Sequence, residues 1–249
     1  MSEATVLGTH RWTAEETRIL VRAARWAPRR WLRGEWPLEV RGDDIDVVER
    51  PGDDSRGRLI ACGALLVHLE VAMRTLGWLP ETEFSHDEAD PRRIARITAA
   101  ARKRPTAGDL ASFGAMSGRA SSWCHGSPVL SVDEDPADGV RVTPVSPRRI
   151  RSLPRIGGAI AGTIAPPGED PEDPWSAFLV TTVSEARHHL VRAGLVAQRL
   201  RLLAVESGLR CSTVTEPFDP PKVRVSLFGL AGLPGIPQLV VGVHHTRRR

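Results

Sequence analysis

The stretch from Arg58 to Gly77 constrains the fold more than any other part of the chain. Ile60, Ala64, Leu65, Val67, Leu69, Ala72, Met73 and Leu76 wrap most of the surface of a helix. A helix that is apolar nearly all round belongs inside a protein, with other elements packed about it. Gly77 supplies a natural stop, because the residue after a last helical turn often needs the left-handed conformation that glycine tolerates. At 249 residues the chain is long enough to surround such a helix, as one large domain or a tight pair of lobes. Gly63, His68 and Glu70 interrupt the longest apolar run, so it is a core helix and not a membrane span.

Other elements follow from local signals. Thr13 and Glu16 form a capping box ahead of Ile19, Leu20, Ala23, Ala24 and Ala27 at helical spacing, and Pro28 ends that helix. Leu38 and Val40, then Ile45 and Val47, alternate across the turn Arg41-Gly42-Asp43-Asp44 and predict a hairpin. Asp90-Pro91 is read as opening a helix through Ala101, with proline at the favoured first position. A further helix is expected over residues 107–116. Residues 124–175 are rich in loop formers, with a short strand expected over residues 159–165. Phe178 to Thr182 reads as a strand, and Ser184 as the cap of a long helix ending at Gly208. Val223 to Phe228 and Gln238 to Val243 read as late strands. No internal repeat is visible. Helices and strands without regular βαβ alternation argue for an α+β fold. The run Gly157 to Gly162 lacks dinucleotide-fingerprint spacing and is not expected to open a helix.

Composition narrows the function classes. A hydrophobic fraction of 41% and a charged fraction of 26% are ordinary for a globular protein. The net charge of +4 comes mostly from arginine, Lys103 and Lys222 being the only lysines. The arginines are scattered among 30 acidic residues and no nucleic-acid motif appears, so a basic surface or an anionic small ligand such as a phosphate accounts for the basic balance as well, and no nucleic-acid partner is expected. Residues 1–10 lack a secretory pattern, and a cytoplasmic protein is expected, without a membrane partner. Cys62, Cys124 and Cys211 are widely spaced and form neither a disulfide framework nor a zinc motif. His188-His189 and His244-His245 lack the i, i+4 spacing of a metal clamp, so no metal is expected. Trp31, Trp36 and Trp123 are candidates to stack on a planar ligand, or core anchors.

Four stretches together resemble the Acg-type nitroreductase-like flavoproteins of actinobacteria: Arg11-Trp12-Thr13-Ala14-Glu15-Glu16 running to Ala27-Pro28 and Trp36; Arg58 to Ala64, running to Leu76-Gly77-Trp78; Val191-Arg192-Ala193-Gly194 running to Ser207-Gly208-Leu209; and Leu230 to Val240. They stand in the family's order and cover most of the chain outside residues 124–175. The resemblance implies one nitroreductase-like α+β domain over residues 1–249, with a mixed or antiparallel central sheet wrapped by helices and a loop-rich insertion at about 124–175. It also implies an intertwined homodimer, or a heterodimer with a homologue. FMN would lie at the subunit interface, accepting hydride from NAD(P)H and passing electrons to a small organic acceptor.

The same resemblance implies the cofactor residues. Arg29 and Arg33, just past the first helix, are suited to the FMN phosphate, since guanidinium forks bind phosphate oxygens in pairs and stay charged. Arg119 stands where the family carries an Arg-Arg-x-Thr-x-Arg run, here Ser117 to Trp123. Thr215 and Glu216 fall in a turn whose backbone N–H would lie beside the reactive ring nitrogen. Pro217 has no N–H to offer there. The tail Arg247-Arg248-Arg249 is a further phosphate candidate, or a solvated terminus. The chain departs from the family where Ser-x-His-Asn-x-Gln-Pro-Trp becomes Arg29-Arg30-Trp31-Leu32-Arg33-Gly34-Glu35-Trp36. That departure keeps two alternatives open. One is a flavin-free binding partner; the other is a flavin-independent enzyme with His125 and Glu216 as acid–base candidates.

Overall fold

A computed structural model describes residues 10–28, 38–49, 56–85, 90, 92–118, 139–153, 156–164, 175–230 and 233–245. The chain divides into two compact units, residues 1–120 and 121–249, each taken here by itself.

In the first unit the helix α1 (Ala14–Trp26) starts at the expected capping box, with the Thr13 hydroxyl accepting the Glu16 N–H and the Glu16 carboxylate accepting the Thr13 N–H. The hairpin forms as expected from β1 (Leu38–Arg41) and β2 (Asp44–Val48), with Gly42 at φ 65° in the turn. The core helix α2 (Arg56–Thr75) is buried without interruption from Gly57 to Met73, and Gly77 ends it at φ 84°. Two strands follow, β3 (Trp78–Phe84) and β4 (Arg93–Arg102), then α3 (Ala107–Met116) behind a second capping box of Thr106 and Asp109. The antiparallel sheet runs β1-β2-β4-β3.

The expected helix through Ala101 is therefore a strand. Alanine has the highest intrinsic helix propensity, but propensity is a weak constraint that tertiary pairing overrides. Residues 93–102 lie between β2 and β3, with Ile97 opposite Ile45 and Thr82, and Arg96 opposite Asp46 and Glu83. The two faces divide accordingly. Ile45, Val47, Ala95 and Ile97 are buried apolar residues on one face, the face from which Thr82 donates to Glu70 of α2. Asp44, Asp46 and Arg96 share the other, where Arg96 holds both carboxylates.

The second unit contains β5 (Val140–Val145), α4 (Pro147–Arg151), α5 (Gly157–Ile164), β6 (Trp175–Thr182), α6 (Arg187–Glu206), β7 (Leu209–Val214), a short 3₁₀ turn (Glu216–Phe218), α7 (Pro221–Leu230) and β8 (Ile236–His245). Its antiparallel sheet runs β5-β6-β8-β7. Both faces of the central strand β6 are apolar. Trp175, Ala177 and Leu179 join Ile150, Ile160, Ile164, Phe218 and Leu227 in one core cluster. Phe178 and Val180, also buried, point the opposite way, as alternation along a strand requires.

Four expectations are not met in this unit. Residues 157–164 are helical, not a strand: Ile156, Ile160 and Ile164 recur every four residues and all enter the core cluster. Gly157 does open this helix, and the position requires glycine because a Cβ there would sit 2.4 Å from the Arg151 carbonyl. Residues 221–230 are also helical, with Val223 and Leu227 packed on the cluster and Pro221 at the tolerated first position. Ser184 is not the cap of α6. The cap residue is Ala186, and the Ser184 hydroxyl accepts its N–H from two residues upstream.

Candidate functional site

Four strand ends meet at one edge of the second unit's sheet: the start of β5, the end of β6, the end of β7 and the start of β8. The edge is tightly built. Buried Gln238 donates to the Thr182 hydroxyl at 3.0 Å. Gly235 passes so near the Thr182 carbonyl that a Cβ would lie 2.7 Å from it.

The turn carrying Thr215 and Glu216 leaves the sheet here. Thr215 is fully buried, and its N–H donates to the Glu216 carboxylate at 3.2 Å. The turn closes through Phe218 N–H to Thr215 O at 2.9 Å and Asp219 N–H to Glu216 O at 3.0 Å. Phe218, with no exposed surface, roots it in the core cluster. Arg224 of α7 grips its far side, donating to the carbonyls of Phe218 and Asp219 at 2.5 and 2.7 Å and to the carboxylate of Glu185. A turn held this firmly keeps its main-chain dipoles fixed, and fixed donors stabilise charge that develops on a ligand without having to reorganise.

Of the two donors expected from the sequence, the Thr215 N–H is engaged by the Glu216 carboxylate. The same contact gives that carboxylate a structural task. Sequence reasoning missed Arg224 and Glu185 because residues 223–228 were read as a strand. The usable signal was Pro220-Pro221 followed by apolar Val223 and Leu227 at i, i+4. Arg29, Arg33, Arg119, Trp31, Trp36, Trp123, Cys124, His125 and Arg247 to Arg249 lie outside the described residues.

Three other polar clusters are structural. Ser184 Oγ lies 2.7 Å from His189 Nδ1, a serine–histidine pair at the start of α6. The hydroxyl accepts the Ala186 N–H, burial lowers the His189 pKa, and Gly139 packs against the imidazole so closely that a Cβ would lie 2.5 Å from Nε2. In the first unit, His68 Nδ1 sits 3.1 Å from the Ala23 carbonyl in the core.

Around β3, Trp78 donates to Glu16 at 3.0 Å, His10 lies 3.0 Å from the same carboxylate, and Trp12 donates to Asp43 O. The Trp78 ring has His10 stacked at 3.9 Å and the Arg102 guanidinium at 3.6 Å. Two groups that close to one centroid must occupy opposite faces. Burial works against the charged form of Glu16, yet hydrogen bonds from the Thr13 N–H, the Trp78 indole and the Thr13 hydroxyl bring its pKa down to about 2. Burial pushes the Cys211 thiol up to about 12, which disfavours the reactive thiolate. Among the described residues no group of three or more His, Cys, Asp or Glu could hold a metal ion, and no helix is long and apolar enough to cross a membrane.

No protein-family model matches the chain. Two relatives do, both provisionally named NAD(P)H nitroreductases, from the CDC 1551 and H37Rv strains of Mycobacterium tuberculosis. Each is 25% identical over an alignment covering 92% of this chain and 85% of the relative. The similarity therefore spans both units. With two antiparallel sheets packed with seven helices among the described residues, the fold is α+β and nitroreductase-like.

Proposed function

We propose that the chain is an FMN-dependent NAD(P)H oxidoreductase of the Acg-type branch, acting on a small organic acceptor or a natural-product intermediate. The observation that carries this reading is the turn at Thr215–Asp219, anchored by Phe218 and gripped by Arg224, in a chain whose relatives are named nitroreductases over nearly its full length. The donor set suits the ring side of a flavin because it is rigid main chain, held by Phe218 and Arg224. Glu216 would present its N–H to the ring. Arg29 and Arg33, with Arg119, would hold the phosphate. The chemistry FMN supplies when bound is uptake of hydride from NAD(P)H and its delivery as electrons to an acceptor.

In this reading residues 1–249 act as one nitroreductase-like domain, a homodimer or a heterodimer with a homologue, in the cytoplasm. The test is the absorption spectrum of the purified protein, with and without added FMN, followed by NAD(P)H. Flavin bands that bleach support the reading; a colourless protein that takes up no FMN ends it. Arg29→Ala and Arg33→Ala should each weaken FMN uptake by about 1.5–3 kcal/mol, the worth of one charge-assisted contact. Sedimentation tests the dimer.

A second reading has its own support. The family's Ser-x-His-Asn segment is replaced by Arg29 to Trp36. This change suits a flavin-free partner subunit, which would take up no FMN and co-purify with an active homologue.

A further inference from the structure

We propose that Arg224, oriented by Glu185, is a positioning residue that sets the geometry of the Thr215–Asp219 turn and through it the direction of the Glu216 main chain. The proposal rests on the reading of that turn as the ring-side wall of the cofactor site, but the clamp itself can be tested without cofactor. Arg224 is 5% exposed, and a buried cation is costly unless its donors are met. Here they are met by main chain: two carbonyls of the turn, plus the half-exposed carboxylate of Glu185 in the loop after β6.

The sequence explains why a side chain is needed. Pro220 and Pro221 have no N–H, so this stretch lacks two of the donors that would otherwise serve its carbonyls. Arg224 sits one turn into α7, between Val223 and Leu227 on the core side, where an apolar residue would bury without desolvation cost. The guanidinium stands in for the missing N–H groups. Its effect extends to Glu216. The Phe218 carbonyl that accepts from Arg224 belongs to the same peptide group as the Asp219 N–H, which donates to the Glu216 carbonyl. Hydrogen bonds in series polarise one another, so the cation fixes and polarises the path as far as the Glu216 carbonyl; that carbonyl's peptide partner, Pro217, has no N–H, so the effect on the Glu216 N–H is one of position alone.

The test compares wild type with Arg224→Gln, Arg224→Lys and Glu185→Gln by amide hydrogen exchange without FMN. Arg224→Gln should speed exchange at Phe218 and Asp219 by about tenfold or more, with β6 and β8 unchanged. Lysine should restore part of the protection, and Glu185→Gln should give a smaller local change. With FMN bound, Arg224→Gln should shift the oxidised-to-reduced ratio about tenfold toward oxidised, or about 30 mV for a two-electron couple.

Unchanged exchange at the turn in a folded Arg224→Gln protein overturns the proposal. So does acceleration spread equally over β6 and β8, which would make Arg224 a core brace only. If Arg224→Gln does not fold, the milder variants decide, and the absence of any local change in both overturns it. A wild-type protein that takes up no FMN ends the flavin reading and leaves the exchange result to judge the clamp.

Discussion

The two sheets share one strand order, β1-β2-β4-β3 and β5-β6-β8-β7, and in each a helix of 20 residues separates the second strand from the third. Their connections differ. In the first unit the first two strands are joined by a tight turn at Gly42-Asp43, and residues 85–92 alone join the last two. In the second, α4 and α5 enter between β5 and β6, while the 3₁₀ turn and α7 enter between β7 and β8. The added helices cover the face that the first unit leaves to Asp44, Asp46 and Arg96. One topology thus supports an ionic face in one unit and a second core in the other. The candidate site exists only where the insertion between the last two strands supplies a turn.

This contrast can be broken by exchanging the character of the two faces. Leu179→Asp should cost the most, at least about 4 kcal/mol, because it buries an unpaired carboxylate among Ile160, Ile164 and Phe218; urea denaturation measures it. Asp46→Ala should cost less, about 1–3 kcal/mol, since Arg96 loses its paired contacts at 2.8 and 3.0 Å but keeps Asp44. Replacing Asp46 and Arg96 together by leucine should return stability to within about 1 kcal/mol of wild type. A double variant as damaged as Asp46→Ala would show that the ionic face is not interchangeable with an apolar one.

Glu16→Gln should cost about 1–3 kcal/mol and flatten the acid limb of the stability curve. With the folded pKa depressed to about 2 from an ordinary 4.5, the ionised group's contribution is complete above 4.5. It is lost as pH falls from there through about 2. Unfolding midpoints from pH 5 to pH 2 compare the two proteins. The smallest effect is expected on the open side of α7, where Val225 and Phe228 are exposed. Changing either to serine should move stability by no more than about 0.5 kcal/mol.

Legibility in the sequence followed the same divide. Where a pattern was local, it was readable: the Thr13–Glu16 box, the hairpin at Gly42, the all-round apolar α2 and its stop at Gly77 all form as expected. Elements defined by partners were not. Residues 93–102 look helical until β2 and β3 flank them, and α5 and α7 hide a four-residue apolar period inside loop-forming sequence. The shared strand order left no trace because equivalent positions face different surroundings, charged in one unit and apolar in the other. For the candidate site, Thr215 and Glu216 were named only through the family resemblance, and what the structure adds is the turn that holds them. Arg224 and Glu185 act across 39 positions of chain, a separation at which one sequence carries no pairing signal.

The most direct test of the account is amide exchange of the wild-type protein across an FMN titration. The account predicts protection that saturates with FMN at residues 214–219, with the amides of β3 and β4 unaffected. FMN binding with no protection at that turn, or protection confined to the first unit, would contradict it.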